Sequence, residues 1–103
     1  MKEDKLLKII NTYGANNQQR KFLEEVGELL EAITVHELKK SVEYEIPLTE
    51  IIGTKEHIAE EIADVAVILL QFKEHYHIDG NDILRIMNEK IDRQLNRIEE
   101  VQK

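Results

Sequence analysis

Residues 24–33 read EEVGELLEAI, and thirty-six positions further on residues 60–69 read EEIADVAVIL. Each segment sets an acidic doublet and a third acid three residues later inside an apolar pattern that recurs at helical spacing. Ionised carboxylates are costly to desolvate. A fold that buries one face of both helices must therefore leave these acids at water or give them something to neutralise.

The rest of the chain follows the same helical period. Lys2 to Thr12 carries Leu6, Leu7, Ile9 and Ile10 and reads as a short helix, ended by Tyr13, Gly14 and the Asn16-Asn17 pair. A first long helix is expected from about Gln18 to Lys40, with Phe22, Leu23, Val26, Leu29, Leu30 and Ile33 on its apolar arc. The stretch SVEYEIPLTEIIG is expected to be irregular, holding a single helical turn or a small hairpin, because Pro47 lacks a backbone donor and Gly53 favours a turn. Thr54 is a natural N-cap, with Glu56 in the first turn, for a second long helix to about His75. Asp79-Gly80-Asn81-Asp82 breaks the chain again, and Asn81 or Asp79 suits the cap of a last helix to about Val101. That helix sets Leu84, Met87, Ile91, Leu95 and Ile98 on one side.

No segment shows a convincing period of two. The expectation is an all-α helical bundle of three long helices plus a short N-terminal helix, forming a single domain over 1–103. Within the second long helix, ADVAVILL is apolar nearly all the way round and must be covered on most sides. A chain of 103 residues offers too few neighbours for that. A homo-oligomer, dimer or tetramer, is expected to complete the fold.

Composition narrows the function. The chain has no cysteine, which removes thiolate catalysis, disulfide scaffolds and Cys-based zinc sites and suits a reducing cytoplasm. Its charged start, MKEDKLLKII, does not read as a signal peptide, and no apolar run approaches membrane-spanning length. A net charge of -7 disfavours a long nucleic acid as partner, whereas a small anion bridged by a metal remains compatible.

At about 100° per residue, Gln18, Lys21, Glu25, Glu28 and Ala32 share a stripe beside the apolar arc of the first long helix. Glu61, Asp64 and Ile68 occupy the same offset on the second, while Glu24, Glu31 and Glu60 are expected to face solvent. Antiparallel packing through the two apolar arcs is expected to bring Glu25, Glu28, Glu61 and Asp64 together at one edge of the shared core. Gathered there, they would raise one another's pKa values unless neutralised. A hard divalent cation does this: Mg²⁺ prefers oxygen ligands and binds through carboxylates together with substrate phosphates. Any one of these acids also fits an ordinary solvated, salt-bridging position. The repetition of the pattern is what argues for a site.

Glu24-Glu25-x-x-Glu28 followed by Glu61-x-x-Asp64 resembles the signature of the all-α nucleoside triphosphate pyrophosphohydrolases. This MazG-like group also includes dimeric dUTPases and phosphoribosyl-ATP pyrophosphohydrolase. The lead-in YGANNQQRK, with Gln18 and Lys21, and the continuation Ala63-Asp64-Val65 are similar too. By order of elements the resemblance spans roughly residues 13–100, and it is strong only at the lead-in and the two acidic segments. It implies Mg²⁺, with Mn²⁺ as a substitute, held by Glu25, Glu28, Glu61 and Asp64. It also implies hydrolysis of the α–β phosphoanhydride of a nucleotide to the monophosphate and pyrophosphate, with clearance of non-standard nucleotides as one role. Glu24 or Glu28 would orient or deprotonate the attacking water. The stretch between the motifs is somewhat longer than in many relatives, so the segment from Ser41 to Gly53 reads as an extension able to reshape base recognition.

The last helix carries Lys90, Arg93 and Arg97 on one stripe, suited to phosphate oxygens or, equally, to pairing with Glu89 and Glu100 on a solvated face. The resemblance favours Lys90, with Asn88 as a nearby polar contact. Lys21 is either a phosphate contact or the i+4 partner of Glu25. Tyr13 and Phe22 fit the border of a base pocket less well than the core. The four histidines lack metal-binding spacing and read as structural or surface residues. Two alternatives remain: a phosphoribosyl-ATP pyrophosphohydrolase-like enzyme, and a non-catalytic helical dimerisation or regulatory module.

Overall fold

The computed structural model describes residues 2–41 and 51–102, and every regular element among them is an α-helix. In chain order these are α1 (Lys2–Tyr13), α2 (Ala15–Ser41), α3 (Lys55–His75) and α4 (Gly80–Gln102). Gly14 alone separates α1 from α2. Its φ of 92° lies in the left-handed region that a side chain strains to reach, and its amide still donates to the Ile10 carbonyl at 2.8 Å. The second helix thus begins three residues earlier than the sequence pattern suggests, with Asn16 and Asn17 inside it.

Thr54 caps α3, its Oγ1 accepting from the His57 amide at 3.1 Å. At the far end the chain reverses through His77 at φ 56°, with the Ile78 amide bonded to the Lys73 carbonyl at 3.0 Å and that of His77 to the Glu74 carbonyl at 3.1 Å. Asp79 then opens α4, its Oδ1 accepting from the Asn81 amide at 2.8 Å. The proposed turn or hairpin around Pro47 falls within 42–50, outside the described residues.

Packing is concentrated on α3, which lies against α2 along its length and against α1. The α2–α3 pair is antiparallel, and four contacts fix how the helices align. Gln18 faces Gln71, Glu25 faces Asp64, Glu28 faces Glu61, and His36 faces Gly53 at the entrance to α3. The seam they define differs from the expected one. On α2 the buried residues are Gln18, Glu25 and Ala32, one per heptad, whereas Leu23, Leu30 and Ile33 from the apolar arc stand exposed. On α3 the buried residues are Glu61, Ile68 and Gln71, and Ile62, Val67, Leu69 and Leu70 are exposed. Glu25 and Glu61 therefore lie inside the contact, with the more exposed Glu28 and Asp64 at its rim. A small residue such as Ala32 permits close approach on this face, while among the described residues the exposed parts of the two apolar arcs are left uncovered.

The buried hydrophobic core among the described residues is correspondingly small: Leu6, Ile10, Ala32 and Ile68. The last helix adds nothing to it, since no side chain of α4 is buried and its stripe Leu84, Met87, Ile91, Leu95 and Ile98 is open. The radius of gyration is 17.7 Å, against about 13 Å for a compact chain of 100 residues. No helix among the described residues is long and apolar enough to cross a membrane.

Candidate metal centre

The repeat in the sequence becomes a repeat in space. Lys21 and Glu25 sit one turn apart on α2, and thirty-six positions later His57 and Glu61 sit one turn apart on α3. Lys21 Nζ lies 3.0 Å from Glu25 Oε1, and His57 Nε2 lies 3.4 Å from Glu61 Oε1. The doublet acids repeat as well, Lys21 Nζ standing 4.0 Å from Glu24 and His57 Nδ1 4.0 Å from Glu60. Glu24 and Glu60 are exposed, as their place on the helix requires.

Glu25 and Glu61 are only 5 % and 7 % exposed, yet the second oxygen of each, Oε2, is buried without a hydrogen-bond partner. An unsatisfied buried acceptor costs about 1–3 kcal/mol, and more when it is charged. Oxygens of Glu25, Glu28 and Glu61 come within 4.8 Å of one another, the reach of a single cation. Asp64 lies outside that tightest group, yet near enough to bear on the carboxyls of Glu25 and Glu61.

The two buried carboxyls respond oppositely to their surroundings. The hydrogen bond from Lys21 holds Glu25 below the ordinary carboxyl range despite burial. Burial pushes Glu61 up, and the charges of Glu28, Asp64 and Glu25 push further, with His57 opposing them weakly. Lys21 is raised in turn by Glu25. A fixed ammonium at 3.0 Å outweighs desolvation where an imidazole at 3.4 Å does not.

Beside this cluster an opening of about 420 Å³ is lined by Tyr13, Asn17, Gln18, Arg20, Lys21 and Glu24. Gln18 is buried, its Nε2 donating to Gln71 Oε1 at 2.8 Å, so its amide ties α2 to α3 as well as bordering the opening. Tyr13 reaches the opening from the end of α1, whereas Phe22 is partly buried.

The predicted residues on α4 are placed differently. Asn88, Lys90, Arg93 and Arg97 are exposed on a helix that packs on none of the others to any extent, so the described chain does not join them to the carboxylates. Glu89, one alternative partner for the cationic stripe, is bound by Arg85 at 3.1 Å. Sequence reasoning passed over Gln71, whose one signal is a polar side chain three residues after Ile68 in an apolar run. It also read His57 and His36 only as structural or surface residues. His57 meets Glu61, and His36 Nδ1 lies 2.8 Å from the Gly53 carbonyl oxygen.

No family model, curated protein or solved structure matches the chain. The functional reading therefore rests on the residues themselves.

Proposed function

We propose that this chain is a Mg²⁺-dependent nucleoside triphosphate pyrophosphohydrolase of the MazG-like all-α kind, acting in the cytoplasm as a homodimer or homotetramer. The observation that carries the reading is the pair of buried carboxylates, Glu25 and Glu61, each with one oxygen approached by a side chain one turn earlier and the other left without a partner. A fold that buries two such carboxylates within reach of Glu28 is suited to a cation that supplies the missing contacts. The donor set fits Mg²⁺: all oxygen, no thiolate, carboxylates at a rim open to substrate phosphates.

Glu25, Glu28, Glu61 and Asp64 hold the ion in this proposal. When bound, Mg²⁺ offsets the charge on the phosphate oxygens and lowers the pKa of a coordinated water. Glu24 or Glu28, both open to solvent, takes the proton of the water whose oxygen attacks the α-phosphorus. The α–β bridging oxygen departs with pyrophosphate. Lys21, at the mouth of the opening, neutralises part of the leaving charge, and Gln18 and Tyr13 border the nucleoside. Asn88, Lys90, Arg93 and Arg97 come from the α4 of another copy. The uncovered apolar faces of α2, α3 and α4 support that assembly.

Pyrophosphate release from a panel of canonical and modified nucleoside triphosphates and phosphoribosyl-ATP, with Mg²⁺ and with EDTA, tests the proposal. The wild-type chain is expected to release pyrophosphate only with Mg²⁺, and Glu61→Gln to fold and lose the activity. Preference for phosphoribosyl-ATP would reassign the substrate. No release from any compound, with no Mg²⁺-dependent rise in melting temperature, would leave the dimerisation module as the reading. A fully active Glu61→Gln would overturn the site.

A further inference from the structure

We propose that His57 is a positioning residue for Glu61, the counterpart on α3 of Lys21 for Glu25 on α2, each holding one carboxylate oxygen so that the other is kept free for a divalent cation. The inference rests on the cation site proposed above, but not on nucleotide hydrolysis.

Three observations carry it. The placement is duplicated: Lys21 and His57 stand at the same offset from Glu24/Glu25 and Glu60/Glu61, and both approach the two acids of their doublet in the same order of distance. The atoms are partitioned alike, for Oε1 is the oxygen that the neighbouring side chain approaches and Oε2 the buried, unpartnered one in each carboxylate. Finally, His57 is itself held. Its backbone amide is bound by the Thr54 cap in the first turn of α3, and its side chain is three-quarters covered, so the ring has little freedom to leave Glu61.

Nε2 is the ring nitrogen beside Oε1, at 3.4 Å, and Nδ1 stands 4.0 Å from Glu60. Fixing one oxygen removes the rotation that would otherwise carry Oε2 away from the ion. Supporting contacts of this kind typically change metal affinity by about 10–100-fold.

Mn²⁺ is the probe, titrated into the metal-free full chain and followed by loss of the free-ion electron paramagnetic resonance signal. His57→Leu, which covers similar apolar surface without a donor, is expected to weaken Mn²⁺ binding by about 10-fold or more. His57→Gln, which returns an N–H at nearly the reach of Nε2, is expected to bind close to wild type, and the shorter His57→Asn to resemble the leucine variant. A role confined to folding would lower the metal-free melting temperature and leave affinity unchanged. Equal Mn²⁺ affinity in wild type and His57→Leu would overturn the inference, as would His57→Gln binding no better than His57→Asn. This last pair decides the matter should the leucine variant not fold. A wild-type chain that binds Mn²⁺ but hydrolyses no nucleotide removes the enzymatic reading and leaves the positioning role standing. One that binds no Mn²⁺ removes both.

Discussion

Glu25 and Glu61 are near-copies in sequence and opposites in electrostatics, and the difference makes metal-free stability depend on pH in two windows. The folded-state pKa of Glu61 is raised above its ordinary value of 4.5. Its protonated form therefore stabilises the fold, fully so below 4.5, and that contribution is lost as pH rises through the folded value. Glu25 is lowered from 4.5, so its contribution is present above that value and lost as pH falls through the depressed one. Urea midpoints in EDTA should accordingly fall as pH is raised from about 4.5 towards neutrality, more steeply in wild type than in Glu61→Gln. Saturating Mg²⁺ should remove the difference by taking the proton's place. Parallel profiles for the two proteins in EDTA would show that Glu61 is not under strain. Residue by residue, the acids were legible because their offset from an apolar arc repeats. Gln71 and the contact of His57 were not, since neither amide pairing across helices nor the choice between two carboxylate oxygens leaves a mark in periodicity.

At the scale of elements, the ends of the helices were largely written in local chemistry: Thr54 and Asp79 cap as their side chains allow, and Gly14 takes the backbone angle that other residues avoid. What periodicity does not reveal is which face one chain can cover. The apolar arcs are present on α2 and α3, yet the contact runs through Ala32, Ile68 and the polar residues beside them. Gly53 secures one end of that contact. Its carbonyl oxygen meets His36, and a Cβ there would stand 2.9 Å from Val35 Cγ1 and 3.2 Å from Lys39 Cδ. The lysine can move aside, but the valine is stiff about its first torsion. Gly53→Ala should thus destabilise the chain by about 1–3 kcal/mol, measured by urea unfolding. Unchanged stability would mean that the start of α3 can retreat from α2 without loss.

For the whole molecule, the imbalance between covered and uncovered surface is the dominant fact. Val101 is 86 % exposed, Leu95 55 % and Ile91 52 %, along a helix of 23 residues with an apolar stripe and no buried side chain. Sedimentation velocity should give a dimer or tetramer. The double substitution Ile91→Glu with Leu95→Glu should shift it to monomer and, with the α4 cations no longer delivered by another copy, abolish pyrophosphate release. A wild-type monomer at micromolar concentration would contradict the assembly. The expectation of a partner came from ADVAVILL, and the exposure of Ile62, Val67, Leu69 and Leu70 on α3 is compatible with it. The openness of α4 was not legible in the sequence, because an amphipathic stripe looks the same whether its own chain or a second one covers it.

The four facing pairs between α2 and α3 bear on which length changes the chain can survive. Gln18 with Gln71, Glu25 with Asp64, Glu28 with Glu61 and His36 with Gly53 all lie outside the stretch between Ser41 and Ile51. One residue inserted between Gln18 and Glu25 turns everything beyond it by about 100° and advances it by about 1.5 Å, carrying the carboxylate away from Asp64 while the amide pair still holds. Between Gln18 and His36, and between Gly53 and Gln71, the count of residues is thus itself chemical information.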